Sequence, residues 1–166
     1  MKDAKTTIMH AVNLVVGVLT YVFLSQPYMA AKVAGYPVSS GYDLIDGLFN
    51  STGGTAASTM MALSTFFVSI IAGLLIISSI YGLLVSFDVV KNDKLTKIFK
   101  IVDLVLTSLL VVFGMIALIC TGAYISETVG FSTLFAIGWA VIVNFVIAIL
   151  ALAASIYNFI IAKKNA

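Results

Sequence analysis

The sequence predicts an all-α membrane protein: a four-helix transmembrane bundle that forms a single domain, with both termini in the cytoplasm. Three observations predict it, namely the composition, one long uncharged run and the placement of the lysines. Hydrophobic residues make up 61% of the 166 residues and charged residues 10%, compared with about 45–50% and about 25% in average soluble domains. Residues 58–87 carry no charge, and as a helix they would extend about 45 Å, beyond a hydrocarbon core of about 30 Å.

The first span is predicted at residues 8–24, after a short charged start. Lysines followed by an apolar stretch are also typical of a secretory signal peptide. The apolar run is longer than the core of such a peptide, and the residues after it do not form a typical cleavage site. We therefore expect residues 8–24 to be retained as a membrane span.

The outer loop is predicted at residues 26–57, and it contains a short amphipathic segment. Within residues 41–50 the apolar side chains recur at helical spacing, opposite Asp43 and Asp46. This pattern predicts a short helix that lies at the membrane surface. Aromatic residues of the loop suit the membrane–water interface. The candidates for contact with a partner are Tyr36, Tyr42, Asp43, Asp46 and Phe49.

Three further spans complete the predicted bundle, at residues 58–87, 98–124 and 131–161. A charged cytoplasmic loop at residues 88–97 separates the second span from the third, and a short link at residues 125–130 joins the third to the fourth. Because the number of spans is even, both termini and the charged loop lie on one side of the membrane.

The lysines set the orientation. In short loops, basic residues stay on the cytoplasmic side. Lys32 alone lies in the outer loop, so we expect the termini and the central loop to be inside the cell and residues 26–57 to face outward across a cell (plasma) membrane. The lysines on the inner side are Lys2, Lys5, Lys91, Lys94, Lys97, Lys100, Lys163 and Lys164.

An internal repeat is indicated by an offset of ninety positions between residues 6–23 and 96–113. Many apolar positions are identical, and the polar ones correspond as well: His10 aligns with Lys100, and Asn13 with Asp103. Shared apolar residues are common among membrane spans, whereas matched polar residues are not. We interpret spans one–two and three–four as a duplicated helical hairpin with both copies in the same orientation.

Asp103 is the acidic residue that lies well inside an apolar run. An ionisable group in a span costs about 2.5–3.5 kcal/mol at the bilayer centre and indicates a functional site. One interpretation is an ordinary pair with Lys100, one turn away on the same helix face. The other is that Asp103 and Asn13 face each other across the bundle axis, where they would form a polar constriction or a weak cation or proton site.

Each span also has one face of small and hydroxyl residues, which lets membrane helices pack closely. Thr107 continues the Asp103 face of the third span, and Asn144 and Ser155 lie on such a face of the fourth. These faces predict a compact bundle, or alternatively a polar pathway through Asn144. His10, near the start of a span, is expected at the membrane interface.

The composition also excludes several classes of protein. All the basic residues are lysine, and arginine is the preferred residue for nucleic-acid recognition, so we expect no nucleic-acid partner. The lysine-rich, isoleucine-rich usage is typical of an A·T-rich bacterial genome. One histidine and one cysteine, Cys120, supply neither a metal site nor a catalytic dyad, so we expect no cofactor, no metal and no enzyme activity.

Two hypotheses about function remain. In the first, the protein is a tetraspan structural or accessory subunit that self-associates as a homo-oligomer or binds another membrane subunit. Its loop layout resembles that of claudins in topology alone, because the outer-loop tryptophan and paired cysteines of claudins are missing. In the second, it is an oligomeric channel or transporter subunit for ions or small solutes, with Asn13, Asp103 and Asn144 lining the path. Small four-span multidrug exporters carry a carboxylate in the first span, where Asn13 stands here.

Overall fold

The computed structural model describes residues 4–32, 36–50, 54–87, 89, 93–127 and 134–164. Four long helices form a bundle, with a small sheet and one short helix at one end. The elements in chain order are α1 (Ala4–Leu24), β1 (Pro27–Ala31), β2 (Pro37–Ser40), α2 (Gly41–Asn50), α3 (Ala56–Ser86), α4 (Asp93–Glu127), β3 (Phe135–Ile137) and α5 (Trp139–Lys164).

The described part of the chain contains four helices that are long and apolar enough to cross a membrane. This confirms the predicted fold class of an all-α four-helix bundle, and it makes the chain a membrane protein. Most of the large apolar side chains on the outer surfaces of these helices are exposed, as expected where the surrounding solvent is lipid. The qualifying segments are Ala4–Leu24, Ala56–Ser86, Lys97–Glu127 and Trp139–Ile160.

The helices form a square in which α1 and α4 lie on a diagonal. Each of these two helices packs against both α3 and α5, and they approach each other at only a few positions across the bundle axis. Any side-chain contact between α1 and α4 therefore passes through the centre of the bundle.

The two connections at the sheet end of the bundle are joined by hydrogen bonds. The strands are antiparallel in the order β2-β1-β3, so β1, from the first connection, pairs with β3, which precedes the last helix. A Cβ on Gly138 would overlap the Pro27 carbonyl group, so only glycine lets the chain pass here. The sheet and α2 thus lie at one end of the bundle, opposite the start of α1 and the end of α5.

Several predicted boundaries are corrected by the structure. The fourth span begins at Trp139 instead of residue 131, because residues 135–137 pair with β1. The helix predicted at 98–124 extends from Asp93 to Glu127, which shortens the connection predicted at 88–97. The first helix begins at Ala4. Residues 128–133, which include the second half of the predicted link, lie outside the described residues.

The outer loop is more ordered than the sequence predicts. The predicted amphipathic segment is confirmed as α2, and the two strands that precede it were not predicted. α3 begins after Thr55, whose Oγ1 accepts a hydrogen bond from the Ser58 backbone N–H at 3.2 Å. This is an ordinary helix N-cap.

The bundle interior has a central apolar layer. Its buried side chains come from all four long helices, and partly buried residues pack around them. We define the apolar layer as Val16, Val68, Ile71, Leu75, Leu106, Leu110, Ala148 and Ala151. A second apolar group near the sheet includes Leu24, Tyr28 and Val141. The apolar layer separates two polar sites, one toward each end of the bundle.

Candidate functional site

A polar cluster occupies the half of the bundle nearer the termini, with the fully buried carboxylate of Asp103 at its centre. Oδ2 of Asp103 lies 2.8 Å from Nδ1 of His10 and accepts a hydrogen bond from Nδ2 of Asn13 at 3.1 Å. Oδ1 accepts from Oγ of Ser78 at 2.5 Å. Asn13 also donates to Oγ of Ser155 at 3.2 Å. These five residues, the polar cluster, come from all four long helices.

The local sequence explains how the cluster assembles. His10 and Asn13 are three residues apart on α1, so both side chains lie on one helix face. A Cβ at position 82 of α3 would overlap the imidazole of His10, so Gly82 provides the space for that ring. Thr107, one turn after Asp103, turns its hydroxyl group back to the Asp103 carbonyl oxygen at 2.8 Å. Its hydroxyl is thereby satisfied within its own helix.

The electrostatics of the cluster depend on its donors. A buried carboxylate is costly unless it is paired and hydrogen-bonded, and donors on α1 and α3 meet both carboxylate oxygens here. His10 is fully buried as well, and its Nδ1 lies within hydrogen-bond distance of the carboxylate. Nε2 of His10 and Oδ1 of Asn13 are buried without a described hydrogen-bond partner. The cluster therefore ties the helices together without using every polar atom.

The structure brings together some of the predicted site residues and separates others. Asn13, Asp103 and Ser155 meet in the polar cluster, and Thr107 lies directly behind it. Asn144 lies elsewhere: it is eleven residues before Ser155 on α5, about 16 Å along the helix axis. The hydrogen bonds described for the Asp103 carboxylate cross to α1 and α3 instead of remaining within α4.

Two cluster residues were missed or misplaced by sequence reasoning. His10 was expected at the membrane interface and is instead fully buried, because Gly82 opens the space beside it. Its position one turn before Asn13 was a usable signal for a shared face. Ser78 was not singled out, since serine is common in spans and nothing in its neighbourhood marks it as the partner of a carboxylate.

A second polar site lies on the other side of the apolar layer, toward the sheet. Nδ2 of Asn144 donates to the Tyr28 hydroxyl oxygen at 3.0 Å. Burial raises the pKa of Tyr28 to about 12, although the hydrogen bond from Asn144 acts in the opposite direction. The phenol is therefore neutral at physiological pH. A cavity of about 10 Å³ beside this pair is at the lower limit for one water molecule.

The two polar sites are not connected through the bundle by the side-chain hydrogen bonds described. Two buried hydroxyl groups on the sheet side of the apolar layer turn back to their own helices: Thr20 donates to the Val16 carbonyl oxygen and Thr65 to that of Met61. The remaining space is filled by the apolar layer. Within the described residues, the apolar layer therefore lies between the two polar sites.

The outer end carries the other predicted candidates. Tyr36 and Phe49 are 71% and 67% exposed. Asp43 accepts hydrogen bonds from Ser40, from its backbone N–H at 2.7 Å and from its hydroxyl at 2.8 Å, and the former lowers the pKa of Asp43 the most. Asp46 accepts from Asn50 at 2.7 Å. Both carboxylates thus have local structural partners, within α2 or in the residue that precedes it.

The exposed apolar and aromatic residues at this end lie on β2, next to it and on α2. Phe49 makes an edge-on ring contact with Phe66 of α3, with centroids 5.4 Å apart, and the Tyr42 hydroxyl donates to the Tyr21 carbonyl oxygen at 3.4 Å. These contacts attach α2 to the bundle, and the Phe49 and Tyr42 side chains remain exposed. We define the outer aromatic surface as Tyr36, Val38, Tyr42 and Phe49.

Among the residues that the structure describes, no group of three or more His, Cys, Asp or Glu side chains is arranged to hold a metal ion. Comparisons of the chain with protein-family models, with curated proteins and with solved structures find no match.

Proposed function

We propose that this protein is a non-enzymatic accessory subunit of the cell membrane that docks a second copy of itself or another membrane protein through its outer aromatic surface. The observation that carries the proposal is the sheet, in which β1 and β3 join the two outer connections. This arrangement holds exposed aromatic residues on a fixed support at one end of the bundle.

The support is rigid because it is attached to the bundle from within. The Gly138 backbone N–H donates to the Tyr28 carbonyl oxygen at 2.7 Å, and the Tyr28 side chain reaches Asn144 on α5. A surface that is ordered before binding loses less conformational entropy when a partner docks. Such a module therefore suits recognition better than a mobile loop would.

The chemistry of the surface also favours docking. Aromatic residues are enriched at protein interfaces and at their energetic hot spots. Tyr36, Val38, Tyr42 and Phe49 are all exposed, and they lie outside the four membrane-spanning helices. The lysine distribution supports an outward-facing position for this end, where a partner's outer loops would reach it.

The alternative function, an oligomeric channel or transporter subunit lined by Asn13, Asp103 and Asn144, receives less support. The apolar layer lies between the polar cluster and Asn144, so any path would have to run between chains.

Site-directed photocrosslinking in membranes tests the proposal. A photoreactive residue at Tyr36 or Phe49 is expected to give a discrete adduct, and the adduct's mass and peptides identify it as a second copy or another membrane protein. The matched control is Val89, which is 68% exposed at the opposite end and is expected to give none. The absence of adducts from Tyr36 and Phe49, or equal yields from Val89, would contradict the proposal.

A further inference from the structure

A groove runs between α1 and α5 at the end of the bundle that carries the termini. Its volume is about 180 Å³, and its walls include Lys5, Met9 and Val12 of α1 and Ala154, Tyr157 and Asn158 of α5. Through Ile8 and Val12 it continues into a shallow, almost wholly apolar depression that follows α1 as far as Val16. The two together form one furrow, which we call the α1 groove.

The length of the α1 groove matches one leaflet of a bilayer. From Lys5 to Val16 the helix rises about 16 Å, and half of a hydrocarbon core of about 30 Å is about 15 Å. The groove is charged and polar near its end and apolar along the rest. A phospholipid has the same arrangement, a charged headgroup followed by apolar acyl chains.

A buried polar atom in the groove wall points to a ligand. Asn158 is 3% exposed, and its Nδ2 donates to Sδ of Met9 at 3.1 Å, although sulfur is a weak acceptor. Its Oδ1 is buried and has no described hydrogen-bond partner. An amide oxygen only accepts hydrogen bonds, and the phosphate and the acylated glycerol of a lipid offer acceptors alone. A lipid whose headgroup carries hydroxyl groups supplies the donor that Oδ1 lacks.

We propose that the α1 groove binds one anionic phospholipid from the leaflet on the lysine-bearing side. The phosphate lies at Lys5 and the exposed phenol of Tyr157, a hydroxyl group of the headgroup donates to Asn158, and one acyl chain follows α1 toward Val16. Basic residues at the cytoplasmic surface attract anionic lipids. A flexible acyl chain conforms to the apolar part of the groove, and the charge of Lys5 at its end favours an anionic headgroup over the apolar helix of a second copy.

Native mass spectrometry of the purified protein in neutral detergent tests the site. The protein is given equal amounts of phosphatidylglycerol and phosphatidylcholine with identical acyl chains. We expect one retained lipid per chain, predominantly phosphatidylglycerol. Lys5→Gln is expected to reduce that preference about fivefold, the effect of removing one basic residue near an anionic headgroup. Ala154→Phe fills the groove and is expected to abolish retention of either lipid.

The matched control is Lys94→Gln, which removes an exposed lysine of the same end, on α4 and outside the groove. It is expected to keep the wild-type preference. Equal retention of the two lipids by the wild type, or equal losses in the Lys5→Gln and Lys94→Gln variants, would overturn the proposal, as would a dimer whose contact is lost in Ala154→Phe. If Ala154→Phe fails to fold by circular dichroism, the two lysine variants decide the outcome alone.

Discussion

At the scale of single residues, Asp103 is fully buried, and its carboxylate contacts three polar side chains. Removing one partner of a buried pair typically costs about 3–5 kcal/mol, because the other is left uncompensated. We expect Asp103→Ala to lower the free energy of unfolding in detergent by about that amount, since it strands His10, Asn13 and Ser78. Asp46→Ala, in exposed α2, is the control and should have little effect. If Asp103→Ala is as stable as the wild type, the polar cluster does not contribute to the stability of the bundle.

A second substitution, at His10, is expected to restore part of the stability that a substitution of Asp103 removes. Replacing both members of a buried pair by apolar residues is often neutral or stabilising, whereas breaking the pair is not. The double variant His10→Leu/Asp103→Leu is therefore expected to unfold at a higher denaturant concentration than Asp103→Leu alone. Denaturant titrations of the two variants measure this coupling. Additive effects of the two substitutions would show that His10 and Asp103 do not act as a pair.

Two glycines provide a test with a matched control. A Cβ at Gly82 would overlap the His10 ring, so Gly82→Ala is expected to lower the melting temperature. Gly47 in α2 has no atom within 4 Å of the corresponding position, so Gly47→Ala should stabilise α2 by about 0.5–1 kcal/mol through helix propensity. Thermal unfolding of both variants is the measurement. An equal response of the two would contradict the assigned role of Gly82.

Some residue contacts were accessible from the sequence and others were not. The offset of ninety positions aligned Asn13 with Asp103, and these two residues are hydrogen-bonded in the structure. The internal repeat itself stays a prediction. The burial of His10 could not be read from its position near a span start, because it depends on a glycine seventy-two positions later in the chain. Contacts of this kind depend on how the helices are rotated, which hydropathy does not specify.

At the scale of elements, α2 depends on its first turn. The Ser40 hydroxyl accepts from the Asp43 backbone N–H at 3.2 Å, while the Asp43 carboxylate accepts from the Ser40 backbone N–H, which is a capping box. The pKa of Asp43 is lowered in the folded state. The box therefore contributes stability above the unfolded pKa of Asp43 and loses it as the pH falls through the lower, folded value.

Hydrogen exchange tests this pH dependence. At neutral pH, the amides at the start of α2 are expected to exchange more slowly in the wild type than in Asp43→Ala. As the pH falls through the folded pKa of Asp43, the two proteins should converge, because protonation removes the same acceptor. Asp46→Ala serves as the control, since Asp46 bonds to Asn50 and not to the first turn. If the wild type still exchanges more slowly than Asp43→Ala in strong acid, the Asp43 carboxylate is not the group that stabilises the first turn of α2.

The elements that escaped prediction are the strands. α2 was predictable because its apolar residues recur at helical spacing. The β1 sequence Pro27–Ala31 and the β2 sequence Pro37–Ser40 show no apolar–polar alternation, which is the usual signal of a half-buried strand. β3 lay inside an apolar stretch that extends directly into α5, so the sequence indicated one longer span. These residues form a strand because they pair with β1, which is distant in the sequence.

At the scale of the whole molecule, hydropathy and length were sufficient for the four helices, because lipid exposure imposes a strong and simple constraint on composition. The apolar layer then supports a closed bundle. Reconstituted liposomes are expected to show the same ion and solute flux for the wild type, Asp103→Asn and Asn144→Leu, with any differences confined to stability or assembly. A change in conductance while assembly is preserved would favour the channel hypothesis instead.

The most direct test of the account is a measurement of which end of the bundle faces the cell exterior. In a Cys120→Ala background, Val38→Cys places a thiol at the sheet end and Val89→Cys places one at the opposite end; both positions are exposed. A membrane-impermeant maleimide on intact cells is predicted to label the Val38→Cys variant, and to label the Val89→Cys variant only after permeabilisation. Labelling of Val89→Cys in intact cells, or of neither variant until the membrane is opened, would contradict the proposed outward docking surface.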